Sequence, residues 1–212
     1  MKHPEALRRY CELLASADVS VTSIRGADEL WRRHVEDALT AAELVAPDAS
    51  TLVDVGSGSG SPGIPLALEL GLDATLLEAT RPKAAFLRRT AAEIGLAAHV
   101  VHARSEEYAR GEGRDRFDVA VARALAPPPV ALELCLPLVR PGGRLIVWTG
   151  DIETAPLDNV AGALAAEVVD VRRVDDARRL VVVGKHGPTP ERFPRRPGMA
   201  GKRPLPSLPS DA

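Results

Sequence analysis

The chain has 212 residues, and its 27 Lys and Arg against 29 Asp and Glu give a formal net charge of −2. This length is enough for one α/β domain with a modest extension. Apolar residues make up 45% and charged residues 26% of the chain, as is ordinary for soluble globular proteins. The near-neutral charge excludes a protein that is basic throughout, so any nucleic-acid surface has to be a local patch.

The sequence carries no signal for export, for a membrane span or for a metal site. The N-terminal stretch "MKHPEALRRYCELL" has no apolar run of signal-peptide length, and no later stretch approaches the length that crosses a bilayer. Cys11 and Cys135 lie far apart in apolar, helix-like surroundings, which fits neither a disulfide framework nor zinc spacing. We therefore expect a cytoplasmic protein with buried, reduced thiols and no bound metal.

The first part of the chain, from Pro4 to Val45, has a helical pattern. Apolar residues in "PEALRRYCELL" recur at the spacing of an amphipathic helix. After the break "SADVSVTSIRGAD", a second amphipathic segment, "ELWRRHVEDALTAAELV", is predicted to take Asp28 as its N-cap and to stop before Pro47. Residues 1–47 are thus predicted to form a helical extension packed on the domain that follows.

Strand and helix patterns alternate from Thr51 onwards. The β-rich runs "TLVDV", "ATLLE", "AAHVVHA", "FDVAVA" and "GGRLIVW" are separated by helical segments, which indicates a mostly parallel sheet with helices on both faces. Only a few polar residues separate "EVVDVRRV" from "RRLVVVGKH", which favours a terminal antiparallel hairpin. Residues 48–187 are predicted to be an α/β domain with a seven-stranded sheet. Ligands of such sheets bind beyond the carboxyl ends of the strands.

Two helices of this domain have recognisable ends. In "SPGIPLALELG", Ser61 is predicted to cap a helix that starts with Pro62 and stops at Gly71. In "TRPKAAFLRRTAAEIG", Thr80 takes the capping position and Gly95 the stop.

The last residues, 188–212, have a different composition. The stretch "PTPERFPRRPGMAGKRPLPSLPSDA" is rich in proline and in basic residues, a composition that does not form a core element. We expect an extended segment, or a disordered one that orders on a partner. Its positive charge suits contacts with phosphates, and a plain solvated terminus is the alternative.

The stretch "DVGSGSGSPG" places glycines at alternate positions between a predicted strand and a predicted helix. A Walker-type phosphate loop needs a Lys followed by Ser or Thr, and this stretch has neither. The dinucleotide pattern G-x-G-x-x-G needs a glycine where Ser61 stands, and Pro62 removes one N–H donor from the helix start. These features argue against an NAD-binding site but do not exclude one. The pattern acidic-x-G-x-G-x-G, led by Asp54, resembles the first motif of Rossmann-like S-adenosylmethionine (SAM) methyltransferases.

Glu78 ends the second predicted strand, where its carboxylate is placed to accept hydrogen bonds from ribose hydroxyls. SAM offers an amino acid group, a ribose and an adenine, but no phosphate. The glycine motif, Glu78, the alternating strands, "VRPGGRLIV" before the fifth strand and the terminal hairpin all resemble the Rossmann-like class I SAM methyltransferase fold. The resemblance implies SAM as the cofactor.

The residues after the fourth strand narrow the class of methyl acceptor. Enzymes that methylate exocyclic amines have an Asn/Asp-Pro-Pro-aromatic motif there, whereas this chain has "ARALAPPP". Pyrimidine C5 enzymes need a cysteine nucleophile, and the apolar helix pattern around Cys135 predicts a buried structural thiol instead. The class that remains is a methyl acceptor that is already nucleophilic. N7 of guanine belongs to this class, because its methylation needs alignment of the reacting groups more than it needs a general base.

Most of the chain is similar, in order, to the RsmG (GidB) family of methyltransferases. The matching stretches are "TSIRGADELWRRHVEDAL", "LVDVGSGSGSPGIPLAL", "RPKAAFLRR", "ARSEEYA", "FDVAVARAL", "LVRPGGRLIVWTG" and "FPRRPGMAGKRPL". The resemblance implies that the protein uses SAM to methylate N7 of a guanine in 16S ribosomal RNA. It also implies the rRNA or the small ribosomal subunit as the partner.

The resemblance further implies roles for single residues. The cofactor contacts it implies are Gly56 and Gly58 at the methionine end, Ser61 beside the cofactor, Glu78 at the ribose, Ser105 and Glu106 at the adenine, and Arg123 at the mouth of the site. The RNA contacts that we predict are Arg33, His34, Arg195, Arg196, Lys202 and Arg203. Packing within a helix is the alternative role for His34. No general base is needed, so no catalytic residue is assigned.

Three other functions stay open at this point. One is a SAM methyltransferase of a small molecule or a protein, whose pocket would look alike. Another is an NAD-dependent oxidoreductase, which Ser61 and the terminal hairpin disfavour. The third is a non-catalytic interaction protein that keeps the fold. For the rRNA methyltransferase that the resemblance implies, the chain is expected to act as a monomer.

Overall fold

The computed structural model describes residues 1–153 and 155–205. The chain divides into two compact units, Met1–Ala103 and Arg104–Ala212. Seven strands form one sheet. The pairings made by the last two strands are antiparallel, and every other pairing within a unit is parallel. This confirms the predicted fold class, a mostly parallel seven-stranded sheet that ends in an antiparallel hairpin.

The first unit contains three strands in the order β3-β2-β1, each parallel to its neighbour. Its elements in chain order are α1 (Pro4–Ala15), α2 (Ala27–Leu30), a π-helical segment (Trp31–Glu36), α3 (Asp37–Leu39), a short 3-10 turn (Ala42–Leu44), β1 (Thr51–Val55), α4 (Gly63–Leu70), β2 (Asp73–Glu78), α5 (Arg81–Glu93) and β3 (Ala98–His102).

The helix α1 forms as predicted, because its apolar residues lie on one face and Pro4 occupies a first-turn position. That face buries Tyr10, Cys11 and their apolar neighbours in a core that also contains Ile64 of α4 and Leu87 of α5. Burial raises the pKa of the Cys11 thiol to about 11. The N-terminal helices therefore share the core of the first unit, and Cys11 is the buried thiol that was predicted.

The second amphipathic segment differs from its prediction. Asp28 does not cap it, because the helix begins at Ala27 and Gly26 takes the N-cap position with a φ of 88°. The helix also changes to π geometry over Trp31–Glu36. Such wide turns occur often at functional sites, and this one carries His34. Gly26 takes the cap because its positive φ turns the chain into the helix without strain.

The second unit contains four strands in the order β4-β5-β7-β6. Its elements in chain order are α6 (Ser105–Tyr108), β4 (Phe117–Arg123), α7 (Pro128–Cys135), a 3-10 turn (Leu136–Leu138), β5 (Val139–Thr149), α8 (Ala155–Ala163), β6 (Ala166–Arg173), β7 (Arg179–Lys185) and α9 (Met199–Lys202). The helix α8 is absent from the sequence prediction. Only Leu157, Val160 and Ala161 form its buried face, a stripe too short to stand out in a pattern.

The proline-rich segment packs on the second unit, so the prediction that it adds nothing to the core is wrong for its described part. Phe193 is 2% exposed and Ala200 3%. The guanidinium of Arg114 donates to the carbonyls of Thr189 at 2.7 Å and Phe193 at 2.8 Å. A segment without regular structure can be buried in this way, because the Arg114 side chain donates hydrogen bonds to its backbone carbonyls. Residues 206–212, which the prediction also covered, lie outside the described residues.

A buried lysine anchors the start of this segment. Lys185, at the end of β7, has a fully buried side chain, and its Nζ lies 2.8 Å from Asp115 Oδ1 and 2.6 Å from Thr189 Oγ1. Burial lowers the pKa of Lys185. Burial also works to raise the pKa of Asp115, but hydrogen bonds from Lys185 and Thr189 outweigh it and hold that pKa below its ordinary value. The Lys185–Asp115 ion pair, through its hydrogen bonds to Thr189, therefore fixes the direction of the chain where it leaves β7.

Candidate cofactor-binding site

The glycine-rich loop follows β1 and turns the chain towards α4. Gly56, Gly58 and Gly60 have φ angles of 69°, 52° and 97°, a region that residues with a Cβ adopt only with strain. A Cβ on Gly60 would also lie 2.4 Å from Cδ1 of Ile64. The glycines thus make the tight turn that their spacing predicts.

Four N–H groups of this loop are bonded within the protein. Those of Gly56 and Ser57 donate to the carbonyl of Leu77 at 2.8 and 3.0 Å, and that of Gly60 donates to Ser57 at 2.7 Å. The N–H of Gly58 donates to a side chain of β2. A phosphate-binding loop directs such N–H groups at the phosphate. Because the N–H groups named here already have acceptors within the protein, this loop suits a ligand that does not need them.

Asp54, the acidic residue that leads the motif, holds the loop together. It is 1% exposed, and its Oδ2 accepts hydrogen bonds from Ser57 Oγ at 2.8 Å and from the backbone N–H of Gly63 at 3.1 Å. A Cβ on Gly63 would lie 2.6 Å from Cβ of Asp54. A carboxylate therefore occupies the start of α4, where a bound pyrophosphate would be repelled by its charge.

Glu78 joins the end of β2 to the loop. Its Oε2 accepts the N–H of Gly58 at 2.9 Å, and its Oε1 accepts the N–H of Thr80 at 2.7 Å. The side chain is buried, and the strand pairing sets Glu78 opposite His102 at the end of β3. An ionised carboxylate has about four acceptor positions, so Glu78 retains capacity for the hydroxyls of a ribose while it fixes the loop.

Ser61 does not cap α4, so the capping prediction is wrong. The helix begins at Gly63 with Pro62 in the N-cap position, and Ser61 Oγ donates to the backbone carbonyl of His34 at 2.7 Å. The hydroxyl is taken by a residue of the π-helical segment, 27 positions earlier in the chain. Ser61 thereby ties the N-terminal helices to the loop.

His34 packs behind the same loop. It is 4% exposed, with Nε2 3.1 Å from Thr22 Oγ1 and Nδ1 3.5 Å from Ser59 Oγ. Tyr10 donates its hydroxyl to the carbonyl of Ser59 at 3.2 Å. This burial agrees with the packing alternative for His34 and gives no support to an RNA contact. Sequence reasoning missed Tyr10 and Thr22, because an isolated Tyr or Thr in a helix or loop carries no motif.

The second unit carries the remaining predicted cofactor residues. Ser105 and Glu106 open α6 and are buried, whereas Arg123 ends β4 and is half-buried. Glu106 Oε1 accepts the backbone N–H of Gly198 at 2.7 Å, and Ser105 Oγ lies 3.4 Å from Glu106 Oε2. Arg123 lies in register with Trp148 of β5. The bond to Gly198 has no signal in the sequence.

The predicted RNA contacts have unequal surroundings. Arg33 donates to Glu29 at 3.0 Å on the surface, and Arg195 forms an ion pair with the buried carboxylate of Glu133. In these pairings, carboxylates interact with the arginine charges that were predicted to bind RNA phosphates. Of the predicted RNA contacts in the C-terminal segment, Arg196, Lys202 and Arg203 are exposed.

Within residues 1–153 and 155–205, no helix is long and apolar enough to cross a membrane. No group of three or more His, Cys, Asp or Glu side chains in this part of the chain is arranged to hold a metal ion.

Comparison with known proteins places the sequence among rRNA methyltransferases. The model of the family described as "rRNA small subunit methyltransferase G" (GidB) matches residues 3–181. The ribosomal RNA small subunit methyltransferase G of Moorella thermoacetica is 36% identical over 199 residues, which cover 88% of this chain and 83% of that protein. Its namesake in Deinococcus deserti is 38% identical over 202 residues, which cover 90% of this chain and 83% of that protein.

Two solved structures with a similar fold are also methyltransferases. The T. thermophilus 16S rRNA N2 G1207 methyltransferase RsmC, in complex with AdoMet and guanosine, aligns with a TM-score of 0.52 at 21% identity, over 74% of this chain and 40% of that one. Magnesium protoporphyrin IX methyltransferase (ChlM) from Synechocystis, with bound SAM, aligns with a TM-score of 0.58 at 13% identity, over 86% of this chain and 92% of that one. At these identities the likeness establishes the fold and leaves the substrate open.

Proposed function

The chain belongs to the rRNA small subunit methyltransferase G (GidB) family, and we propose that it transfers the methyl group of SAM to N7 of a guanine in 16S rRNA. SAM, when bound, supplies an electrophilic methyl group on its sulfonium. The acceptor N7 has a free lone pair at neutral pH. The protein's part is therefore to bind, align and exclude water, and no side chain has to remove a proton.

The observation that carries the proposal is the internal bonding of the glycine-rich loop. Four of its N–H groups donate to acceptors within the protein, and the carboxylate of Asp54 accepts the first N–H of α4. This arrangement disfavours a pyrophosphate, and with it the NAD-dependent oxidoreductase. SAM fits the same residues because it carries no phosphate and its ribose presents hydroxyls that a carboxylate accepts.

The residue roles follow the predicted ones. In this proposal Gly56 and Gly58 let the methionine part of SAM approach the backbone, Ser61 supports the loop beside it, and Glu78 accepts the ribose hydroxyls. Ser105 and Glu106 bind the adenine, and Arg123 aligns the reacting groups at the mouth of the site.

The RNA contacts proposed here are the exposed Arg196, Lys202 and Arg203. Each offers a positive charge to phosphates, so binding should weaken steeply as salt increases. Arg33 is left with a supporting role, since its guanidinium is paired with Glu29, a carboxylate that it shares with Arg32. The 16S rRNA or the assembling small subunit is the substrate in this proposal, and the protein acts on it as a cytoplasmic monomer.

The experiment that tests the proposal incubates the protein with labelled SAM and 16S rRNA, or small subunits, that lack the modification. The RNA is then cleaved chemically at N7-methylguanine and the position is mapped. Label at a single guanine N7 supports the proposal. Label at another atom, label only on a protein or small molecule, or SAM binding with no transfer to RNA would each overturn it and favour one of the alternative functions.

A further inference from the structure

The C-terminal segment, which we define as residues 188–205, contacts three acidic side chains of the second unit, in addition to the Arg114 contacts described above. Thr189 binds the Lys185–Asp115 pair, as described above. Arg195 binds Glu133, and the backbone of Gly198 binds Glu106. The third of these is of special interest, because Glu106 is a proposed adenine contact.

The pairing of Arg195 with Glu133 is an ion pair with a buried carboxylate. Glu133 lies in α7 with its side chain 3% exposed, and both of its oxygens accept from the guanidinium, through Nε and Nη2. Nη2 also donates to the carbonyl of Arg203 at 2.8 Å. The hydrogen bond to Glu133 raises the pKa of Arg195. A forked, charge-assisted pair of this kind fixes orientation as well as position.

Gly198 follows Arg195 by three residues and meets Glu106. Its φ of 78° turns the chain into α9, and its N–H donates to Glu106 Oε1 at 2.7 Å. Burial works to raise the pKa of Glu106, but the N–H groups of Gly198 and of Glu106 itself, together with Arg104, outweigh it and hold that pKa below its ordinary value. Glu106 is therefore a charged acceptor with one oxygen fixed by the segment.

The second oxygen of Glu106 is less engaged. Ser105 Oγ lies 3.4 Å from it, a distance at which a hydroxyl bond is weak. An exocyclic amino group such as that of adenine donates hydrogen bonds and prefers a charged, correctly aimed acceptor. The geometry thus leaves one carboxylate oxygen for a ligand, and the segment fixes the other.

We propose that Arg195 is a positioning residue of the cofactor site, which clamps the C-terminal segment on Glu133 so that the N–H of Gly198 orients Glu106 for the adenine of SAM. This inference rests on the proposed function. It replaces the phosphate contact that the sequence predicted for Arg195, and it gives the segment a role before any RNA is bound.

The test measures the Kd of S-adenosylhomocysteine by calorimetry, without RNA, for the full-length protein and for Arg195→Ala. We expect about a tenfold weaker Kd, since an aimed hydrogen bond to a charged group contributes roughly that factor. Steady-state assays should show a raised KM for SAM with kcat retained at saturation. Arg192→Ala is the matched control, because it removes an exposed arginine of the same segment that contacts neither glutamate, and its Kd should equal that of the wild type.

Arg195→Ala leaves a buried carboxylate unpaired and can unfold the protein, so a second variant is needed. Glu133→Leu combined with Arg195→Met removes both charges, which proteins tolerate better than the loss of one. This double variant, checked for a native melting temperature, should show the same weakened Kd. A folded double variant with wild-type affinity would overturn the inference and leave the proposed function intact.

The adenine itself is tested with 5′-methylthioadenosine, which lacks the amino acid group of SAM. Arg195→Ala and the double variant should weaken the binding of 5′-methylthioadenosine by the same factor as the binding of S-adenosylhomocysteine. A loss confined to S-adenosylhomocysteine would contradict a role through Glu106. A wild-type protein that binds neither ligand would overturn the proposed function, and the inference with it.

Discussion

The carboxylate of Asp54 accepts the backbone N–H of Gly63 at 3.1 Å, so the first residue of the glycine motif caps the helix that the motif leads into. The same oxygen accepts Ser57 Oγ at 2.8 Å. Only glycine fits at position 63, because a Cβ would lie 2.6 Å from Cβ of Asp54. The acidic residue and the glycine thus depend on each other, and together they place negative charge where a phosphate would otherwise bind.

Removing this carboxylate should destabilise the fold. Asp54→Ala leaves the N–H of Gly63 and the hydroxyl of Ser57 without their acceptor in a buried place, at a cost of roughly 1–3 kcal/mol for each group. Asp54→Asn retains an acceptor oxygen and should lose less. Urea unfolding measures the free energy of unfolding of both variants. A D54A protein as stable as the wild type would show that the two bonds contribute nothing.

The loop glycines can be tested by comparing two positions with positive φ. Gly60→Ala places a Cβ 2.4 Å from Ile64, whereas Gly71→Ala, with a φ of 75°, meets nothing within 4 Å. Each substitution carries a strain of about 1–2 kcal/mol, and Gly60→Ala should lose a further 1–3 kcal/mol, approximately, through overpacking. Only Gly60→Ala should weaken SAM binding. Equal stability losses for both variants would contradict the close packing of the loop.

Glu78→Gln should weaken the binding of SAM by about tenfold or more. An amide places an NH₂ group against one of the N–H donors, Gly58 or Thr80, that the carboxylate now accepts. The variant therefore loses an acceptor for the ribose and disturbs the loop as well. Calorimetry with S-adenosylhomocysteine gives the Kd. Glu93→Gln, an exposed glutamate at the end of α5, serves as the control, and an unchanged Kd for Glu78→Gln would refute the role of this residue.

The Lys185–Asp115 pair predicts a pH dependence of stability. Because the pKa of Asp115 is held below its ordinary value, its charge stabilises the native state above the ordinary aspartate pKa. That contribution is lost as the pH falls through the lowered pKa. Asp115→Asn should cost about 3–5 kcal/mol at neutral pH, because it leaves a buried Lys185 unpaired. Unfolding measured at decreasing pH should show the two proteins converge, and parallel curves would contradict the pairing.

Arg123→Ala should lower turnover about tenfold or more, while the protein remains folded. Arg123 ends β4, at the edge of the sheet where ligands of this fold bind, and we propose that it aligns the reacting groups. Arg116→Ala is the matched control, since this exposed arginine directly precedes the opposite end of the same strand. Single-turnover methylation of unmodified 16S rRNA compares the two. Full activity of the Arg123→Ala protein would remove the role proposed for this residue.

Local patterns in the sequence were sufficient for most of the fold. Strands and helices alternate with clear periodicity, the terminal hairpin has a short polar connection, and both Thr80 and Gly95 lie where the helix α5 is expected to begin and end. The failures occur where the pattern is short or the chain is held by distant groups. The helix α8 has too narrow an apolar stripe, and Gly26 rather than Asp28 starts α2 because the backbone there needs a positive φ.

The candidate site divides in the same way. By itself, the sequence determined the glycine turn, the acid that leads it and Glu78 at the next strand end, because those residues are close along the chain and their spacing is tied to strand and helix ends. Only the tertiary structure decided that Ser61 bonds to His34, that Arg195 pairs with Glu133 and that Gly198 bonds to Glu106. These partners lie 27, 62 and 92 positions apart. A hydrogen bond over such a separation depends on how the whole chain packs, and no local pattern records it.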